Sequence, residues 1–252
     1  MDTSLHICTK LHRNGLLASL SADECRRVCD GLQVIRVDAG EILYRPNKVS
    51  PYVYFPVDCC VALTHLMEDD STLATALVGN EGMIGIAHFL GGQTMYETAI
   101  NQIDGHAMRI KATALMDALD SETGFHRRML RYVQALMTYM GLMAACNRHH
   151  TLSQQVAHLF LQLLDRIGTE EIALTQEHIA AMLGVRRERI NKAALVLQKN
   201  GAIDYARGHI KVLDRNRLHA HSCTCHDLIK KEFERLLETP LPLPPGMPLC
   251  RG

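Results

Sequence analysis

Between Arg186 and Lys192 the chain places six side chains that donate or accept hydrogen bonds in fixed patterns: Arg186, Arg187, Glu188, Arg189, Asn191 and Lys192. At helical spacing Arg187, Glu188, Asn191 and Lys192 share one face, and Ile190, Ala193, Ala194 and Leu197 take the opposite one. Arginine and lysine can donate to guanine O6 and N7, and glutamate can accept from cytosine N4. Arg186 and Arg189 flank the set and suit phosphate contacts. The chemistry offered is the reading of base edges in duplex DNA.

A second group of chemically able residues lies at His219-Ala220-His221-Ser222-Cys223-Thr224-Cys225-His226, five soft-metal donors within eight residues. Such donors suit zinc or copper(I). Their spacing is not that of a zinc finger, and no second ligand group lies nearby in sequence. The reading is therefore no metal, with His219, His221, Cys223, Cys225 and His226 as the candidates if one binds. The alternative is an exposed linker in which Cys223 and Cys225 pack as small apolar groups.

The elements that must position the base-reading face are legible around it. Gln176 to Leu183 is helical, with Ile179, Met182 and Leu183 on one side and Thr175 as its cap. Gly184 supplies a tight turn, and the second helix runs on to Lys199 before Asn200-Gly201 ends it. This is the form of a helix-turn-helix. Ile203 and Tyr205 then alternate on one strand and Ile210 and Val212 on the next, with Arg207-Gly208 between them. That hairpin is a wing, from which Arg207, His209 and Lys211 can reach the DNA. The competing reading is a small helical subdomain with a solvated charged face. Charge favours DNA: residues 175–217 carry nine Lys or Arg against four Asp or Glu, on a chain with 27 of each. A local basic patch on a neutral protein is an electrostatic footprint for nucleic acid.

The 252 residues allow one large domain or two modest ones, and hydrophobic residues at 47% suffice for real cores. No apolar run is long enough to span a membrane, and residues 1–20 are broken by His6, Lys10, His12 and Arg13, unlike a signal peptide. A cytoplasmic protein with no membrane partner follows. The nine cysteines, without framework spacing, are expected as thiols. No phosphate loop, nucleophile motif or His-Glu-x-x-His helix occurs, so the chain is read as not an enzyme.

Residues 1–13 read as a loose leader. Ser21-Ala22-Asp23-Glu24 is a capping box opening a short helix. Short strands follow at 33–37, 41–44, 52–56, 60–67, 73–78, 98–103 and 106–110, separated by turn residues, which suggests a small roll or barrel. Ala112 to Leu119 is helical, and a long helix runs from about Ser121 to Asn147. On it Met129, Val133, Leu136, Met140, Met143 and Asn147 fall in alternating steps of four and three, a coiled-coil seam. The reading is a homodimer held by this seam; the alternative is a helix packed on its own domain. A helix over 152–167 leads into the DNA module, a charged helix covers 228–237, and a proline-rich tail follows. The fold class is α+β: an N-terminal β-roll over 14–120, a long dimerisation helix over 121–148, a C-terminal winged helix-turn-helix over 149–237 and a tail over 238–252.

In this order the parts resemble the Crp/Fnr family of bacterial transcription regulators. Thr175 to Lys192 carries the most specific match: Arg187-Glu188 and Lys192 look like the family's Arg-Glu-x-x-x-Arg set, with Lys in the last place. Where the family often starts its recognition helix with Ser, this chain has Arg186. In the roll, Val53-Tyr54-Phe55-Pro56 and Gly79-Asn80-Glu81-Gly82-Met83-Ile84-Gly85 match. The resemblance implies a cyclic-nucleotide-binding-like roll and, as partners, double-stranded DNA, a second copy of the chain, RNA polymerase and a small-molecule effector. It places the effector pocket at Gly85, Ile86, Ala87, Glu97 and Thr98. There Ile86 replaces the glutamate that takes the ribose hydroxyl, and Glu97 stands where an arginine would pair the cyclic phosphate, so it would repel a phosphate. Cyclic AMP is not expected to bind tightly. Nor is the family's iron–sulfur cluster, because only Cys8 precedes Cys25 and Cys29 and three or four thiolates are needed. Fourteen histidines single out no haem ligand, and His149-His150 reads as a cationic cap on the long helix. Two alternatives stand beside the DNA-binding regulator: metal or redox sensing through 219–226, and a ligand-binding protein that acts through protein contacts.

Overall fold

Turn residues and caps cut the chain into short elements that close on one another from the first one onward. In the computed structural model residues 11–120 and 123–238 are described. The leader reading falls mostly outside them, but Leu11 is buried in the core. Asn14 then caps α1 (Gly15–Ala18) through its Oδ1, and its Nδ2 donates to the carbonyls of Pro56 and Gly82 at 2.9 Å each. A fully buried amide thus ties the start of the chain to the roll. The Ser21–Glu24 capping box opens α2 (Ala22–Cys29) with both reciprocal bonds in place.

The roll is two antiparallel sheets. One has the order β1 (Gln33–Val37), β7 (Gly105–Lys111), β3 (Tyr52–Pro56); the other β2 (Ile42–Tyr44), β6 (Thr98–Ile103), β4 (Cys60–Leu66), β5 (Thr72–Val78). Val53, Phe55, Met108 and Ile110 from the first sheet and Val61, Leu63 and Val78 from the second share one core. Between β5 and β6 lies α3 (Ile86–Leu90), which the sequence reading left without structure. Five residues are too few to display a helical period.

After α4 (Ala112–Asp120), the long helix α5 (Thr123–His149) runs along the roll. Its Phe125, Met129, Tyr132, Leu136 and Tyr139 are buried in the roll's own core. Tyr132 donates to the carbonyl of Met83 at 2.9 Å, and Tyr139 donates to Gln162 while accepting from the Leu77 amide. The dimer seam read from sequence is corrected here. Met129 and Leu136 are 0% and 2% exposed within one chain, while Val133, Met140, Met143 and Asn147 are half-buried. The exposed apolar stripe lies one residue further on: Leu130 is 48% and Met137 69% exposed, followed by exposed Gly141 and Ala144. Two adjacent stripes of a helix differ by one position, and periodicity alone does not say which one the helix's own domain covers.

Helix α6 (Leu152–Ile167) starts from a second capping box, Thr151 with Gln154. It joins the two halves of the molecule. Val156, Phe160, Leu163 and Leu164 pack in one cluster with Cys60, Ala62 and Leu77 of the roll and with Ile179, Ile190 and Leu197 of the helix-turn-helix. At its C-terminal end Arg166 pairs with Glu81 at 2.9 Å and donates to the Gln162 carbonyl at 3.0 Å. Burial alone would lower the Arg166 pKa; the neighbouring Glu81 carboxylate outweighs it and holds the proton more tightly. Beyond it come β8 (Glu171–Ala173), α7 (Gln176–Leu183), α8 (Arg187–Lys199), β9 (Ile203–Ala206), β10 (His209–Val212), α9 (Arg215–Ala220) and α10 (Cys225–Phe233) with a π-helical turn at Glu234–Glu238. The sequence reading missed the short β8 and α9 and began the last helix three residues late; the tail beyond 238 is outside the described residues. No described helix is long and apolar enough to cross a membrane.

Removing one partner of a buried ion pair leaves the other charge uncompensated. Glu81→Ala is therefore expected to lower the unfolding free energy by about 3 kcal/mol, read as a shift of the urea midpoint.

Candidate DNA interface

Thr175 accepts from the His178 amide at 3.3 Å and opens α7. The helix stops at Gly184, whose φ of 62° and ψ of 37° lie in the left-handed region that a side chain would strain. Four residues later α8 is under way. Ile179 and Met182 on α7 and Ile190, Ala193 and Leu197 on α8 are buried against α6. With that stripe committed to the core, Arg186, Arg187, Glu188, Arg189, Asn191 and Lys192 are all left exposed on the outer face. Arg186 occupies the cap position and makes no side-chain cap bond. Glu188 sits in the first turn, where the helix dipole favours a negative group.

Two contacts brace this face against α7. Gln176 Nε2 donates to Asn191 Oδ1 at 3.2 Å, and Arg187 lies 3.7 Å from Glu177. Both partners of that ion pair are well exposed, so it is weak, and Arg187 can exchange it for a nucleic-acid acceptor.

The hairpin pairs Ile203 with Val212, Asp204 with Lys211, Tyr205 with Ile210 and Ala206 with His209. Arg207 and Gly208 turn it with φ of 51° and 81°, both positive as a two-residue type I′ turn requires. His209 and Lys211 alternate with buried Ile210 and Val212 and so point outward together, and Arg207 is exposed at the tip. β8 adds a third strand against β10, with Lys211 3.5 Å from Glu171. Tyr205 donates to the Leu174 carbonyl at 2.9 Å, and burial pushes its hydroxyl up to about 12. A cleft of about 420 Å³ between the wing turn and the starts of α7 and α8 is lined by Gln176, Arg187, Tyr205 and Arg207.

The DNA module is docked on the roll. Thr72 Oγ1 on β5 donates to the Ala181 carbonyl at 3.1 Å, and Leu73 forms a β-bridge with Leu183.

In the region that the resemblance marks as the effector pocket Gly85 caps α3 with φ of 97°, Ala87 is buried and Ile86 is half-buried. Glu97 is 7% exposed and accepts from the Tyr44 hydroxyl at 2.7 Å. Burial, then the Glu97 charge, raises the Tyr44 pKa. Thr98 accepts through its carbonyl from Thr64 at 3.2 Å. Two cavities border other parts of the chain. One of about 350 Å³ sits at the junction of the two halves, lined by Glu81, Asp165, Arg166, His226 and Lys230 among others. Another of about 520 Å³ lies where α5, α6 and the Gly184 turn meet.

The 219–226 segment is not an exposed linker. Cys223 and Cys225 are 7% and 5% exposed, and His221 is half-buried. Four of the five donors separate into two directions. His219 contacts Asp227 at 2.8 Å, and His226 contacts Asp165 at 2.8 Å and Asp227 at 3.4 Å. Cys223 and Cys225 turn instead toward the end of α5. Of the His149-His150 pair read as a cationic cap, His149 lies in the last turn of α5 with Arg148, whereas His150 turns to Cys225, its Nδ1 3.7 Å from Sγ. Gln155 Nε2 takes the capping role, donating to the His150 carbonyl at 2.9 Å and to those of Asn147 and Cys146 at 3.4 and 3.5 Å. Elsewhere Cys25 and Cys29 lie 3.4 Å apart, half-buried; Cys8 is outside the described residues.

Two family models match. Residues 34–122 match a cyclic nucleotide-binding domain, and residues 154–221 match a Crp-like helix-turn-helix domain. Among solved structures the chain is similar to FixK2 from Bradyrhizobium japonicum, at 19% identity and a TM-score of 0.66 over 76% of this chain and 98% of that one. It is similar to a CRP-family transcriptional regulator from Thermus thermophilus, at 18% identity and a TM-score of 0.62 over 75% and 96%. It also resembles the c-di-GMP-responsive global regulator CLP from Xanthomonas campestris, at 14% identity and a TM-score of 0.61 over 76% and 99%. At these identities the likeness is one of fold. No curated protein sequence matches the chain.

Proposed function

Since the chain belongs to the Crp/Fnr family of transcriptional regulators, we propose that it binds a palindromic DNA site as a homodimer and that its effector is not cyclic AMP. The observation that carries the DNA reading is the division of α8. One side is sunk in the core, and the other presents two donors for guanine and one acceptor for cytosine at the helix N-terminal end. Arg187, Glu188, Asn191 and Lys192 read bases; Arg186 and Arg189 hold phosphates; Arg207, His209 and Lys211 on the wing meet the backbone beside them.

In the dimer, two α5 helices pack through Leu130, Met137, Gly141 and Ala144, with Val133 and Met140 at the edges. Small residues at the last two core positions let the helices approach closely. A twofold axis there sets the two recognition helices about one DNA turn, roughly 34 Å, apart. RNA polymerase is the further partner that family membership implies. The roll biases the dimer between geometries, which a ligand achieves only by binding them unequally. A protein partner in place of DNA is the second reading; a steep loss of DNA affinity with rising salt separates the two, because phosphate contacts release counterions.

Arg187→Ala is expected to weaken binding to a selected site by about 1–3 kcal/mol and to relax preference at one base pair, measured by site selection and gel shift. Equal affinity of variant and wild type would remove Arg187 from the reading set. Met137→Glu, which faces two carboxylates across the twofold axis, is expected to give monomers in analytical ultracentrifugation and to abolish half-site pairing. In a calorimetric titration cyclic AMP is expected to show no binding in the micromolar range, because Glu97 occupies the place of a phosphate-pairing arginine; micromolar affinity would sink that reading.

A further inference from the structure

Four soft donors from two distant stretches of chain converge where α5 ends. Cys146 lies in its last turn and His150 just beyond it; Cys223 comes from the turn between α9 and α10, and Cys225 opens α10. The Sγ atoms of the three cysteines and one ring nitrogen of His150 all lie within 4.8 Å of one another. Cys146 and Cys223 sulfurs are 3.5 Å apart, and Cys225 Sγ is 3.7 Å from His150 Nδ1. A tetrahedral zinc with bonds of about 2.3 Å to sulfur and 2.0 Å to nitrogen spaces its ligand atoms roughly 3.5–3.8 Å apart. The group is already near that size.

The surroundings fit an ion. Cys146, Cys223 and Cys225 are 0%, 7% and 5% exposed and form a cluster of their own, separate from the two hydrophobic cores. Thiols used as apolar filler would be expected to merge with a core. His158, 1% exposed, aims Nδ1 at two of the sulfurs, 3.5 Å from Cys223 and 3.8 Å from Cys146, while its Nε2 has no hydrogen-bond partner among the described residues. An N–H directed at thiolate sulfur is the outer-shell support that metal-bound cysteines receive. The carbonyl end of α5 also favours positive charge.

We propose that Cys146, His150, Cys223 and Cys225 bind one zinc ion per chain in a closed tetrahedral site, with His158 donating to the thiolates. Three thiolates and one imidazole fill all four positions, the pattern of a structural rather than a catalytic site. The three thiols give up their protons as the ion enters. All four ligands lie outside the two stretches that match known domains. The ion would clamp the end of α5 to the segment that follows the DNA module.

The test uses the full-length protein, purified anaerobically with reductant, stripped with a chelator and titrated with Zn²⁺, then with Co²⁺. The expected result is one Zn²⁺ per chain, a thiolate-to-cobalt charge-transfer band with intense tetrahedral d–d absorption, and a melting temperature that falls on stripping and returns with Zn²⁺. Cys223→Ser/Cys225→Ser should lose the band and the uptake, while His219→Ala/His226→Ala should keep both. His150→Ala removes only a half-exposed ligand and covers the case in which the cysteine variant fails to fold; it too should weaken uptake. His158→Ala should keep a stoichiometry of one with affinity reduced roughly 10–100-fold. The proposal is overturned by no stoichiometric uptake in wild type, by uptake that survives the cysteine pair's removal, by cobalt spectra without thiolate bands, or by a Cys146–Cys223 disulfide in the anaerobic protein.

Discussion

The molecule depends on the burial of α6 on nearly all sides. A helix that is apolar around most of its circumference has to be enclosed, and no single sheet can enclose it. One side of α6 rests on Cys60, Ala62 and Leu77 of the roll, and the other carries the helix-turn-helix through Ile179, Ile190 and Leu197. The Arg166–Glu81 pair fixes its C-terminal end on the roll, with the guanidinium satisfied by a carboxylate and a carbonyl. The position of the DNA module is therefore set by packing rather than by a linker.

That constraint shapes what regulation can mean here. The Thr72–Ala181 hydrogen bond and the Leu73–Leu183 bridge dock α7 on the edge of the roll. A signal felt in the roll has a short path to the recognition helix, because α7 and α8 share one buried stripe across Gly184. The cavity of about 520 Å³ bordered by Leu73, Leu183 and Gly184 lies on that path. Gly85, Ile86, Ala87 and Glu97 do not line it, and the Glu97 carboxylate is already engaged by Tyr44.

The end of α5 is the second place where distant segments meet. Gln155 satisfies the carbonyls that the helix leaves open, which frees His150 to turn toward the cysteines. α10 then lies back along α5, and Phe233 sets its ring edge-on against Tyr139 at 6.3 Å. The stretch after the wing is thus part of the packed body and not an appendage to the DNA module.

Much of this was written locally. The capping box at Ser21, the cap at Thr175, the glycine turn at 184, the Arg207-Gly208 hairpin and the alternation of the roll strands are short-range signals, because each depends on residues within a few positions of one another. That Arg187, Glu188, Asn191 and Lys192 share an exposed face was legible for the same reason: the opposite stripe, Ile190, Ala193 and Leu197, announces which side is buried. Elements of three to six residues, β8, α3 and α9, carry too little period to be read. Which stripe of α5 the roll covers, burying Met129 and Leu136 and leaving Leu130 and Met137 exposed, was decided by packing against residues distant in sequence. So was the meeting of Cys146 and His150 with Cys223 and Cys225. Their sequence separation of more than seventy residues hides a contact that only the folded chain, by returning α10 along α5, creates.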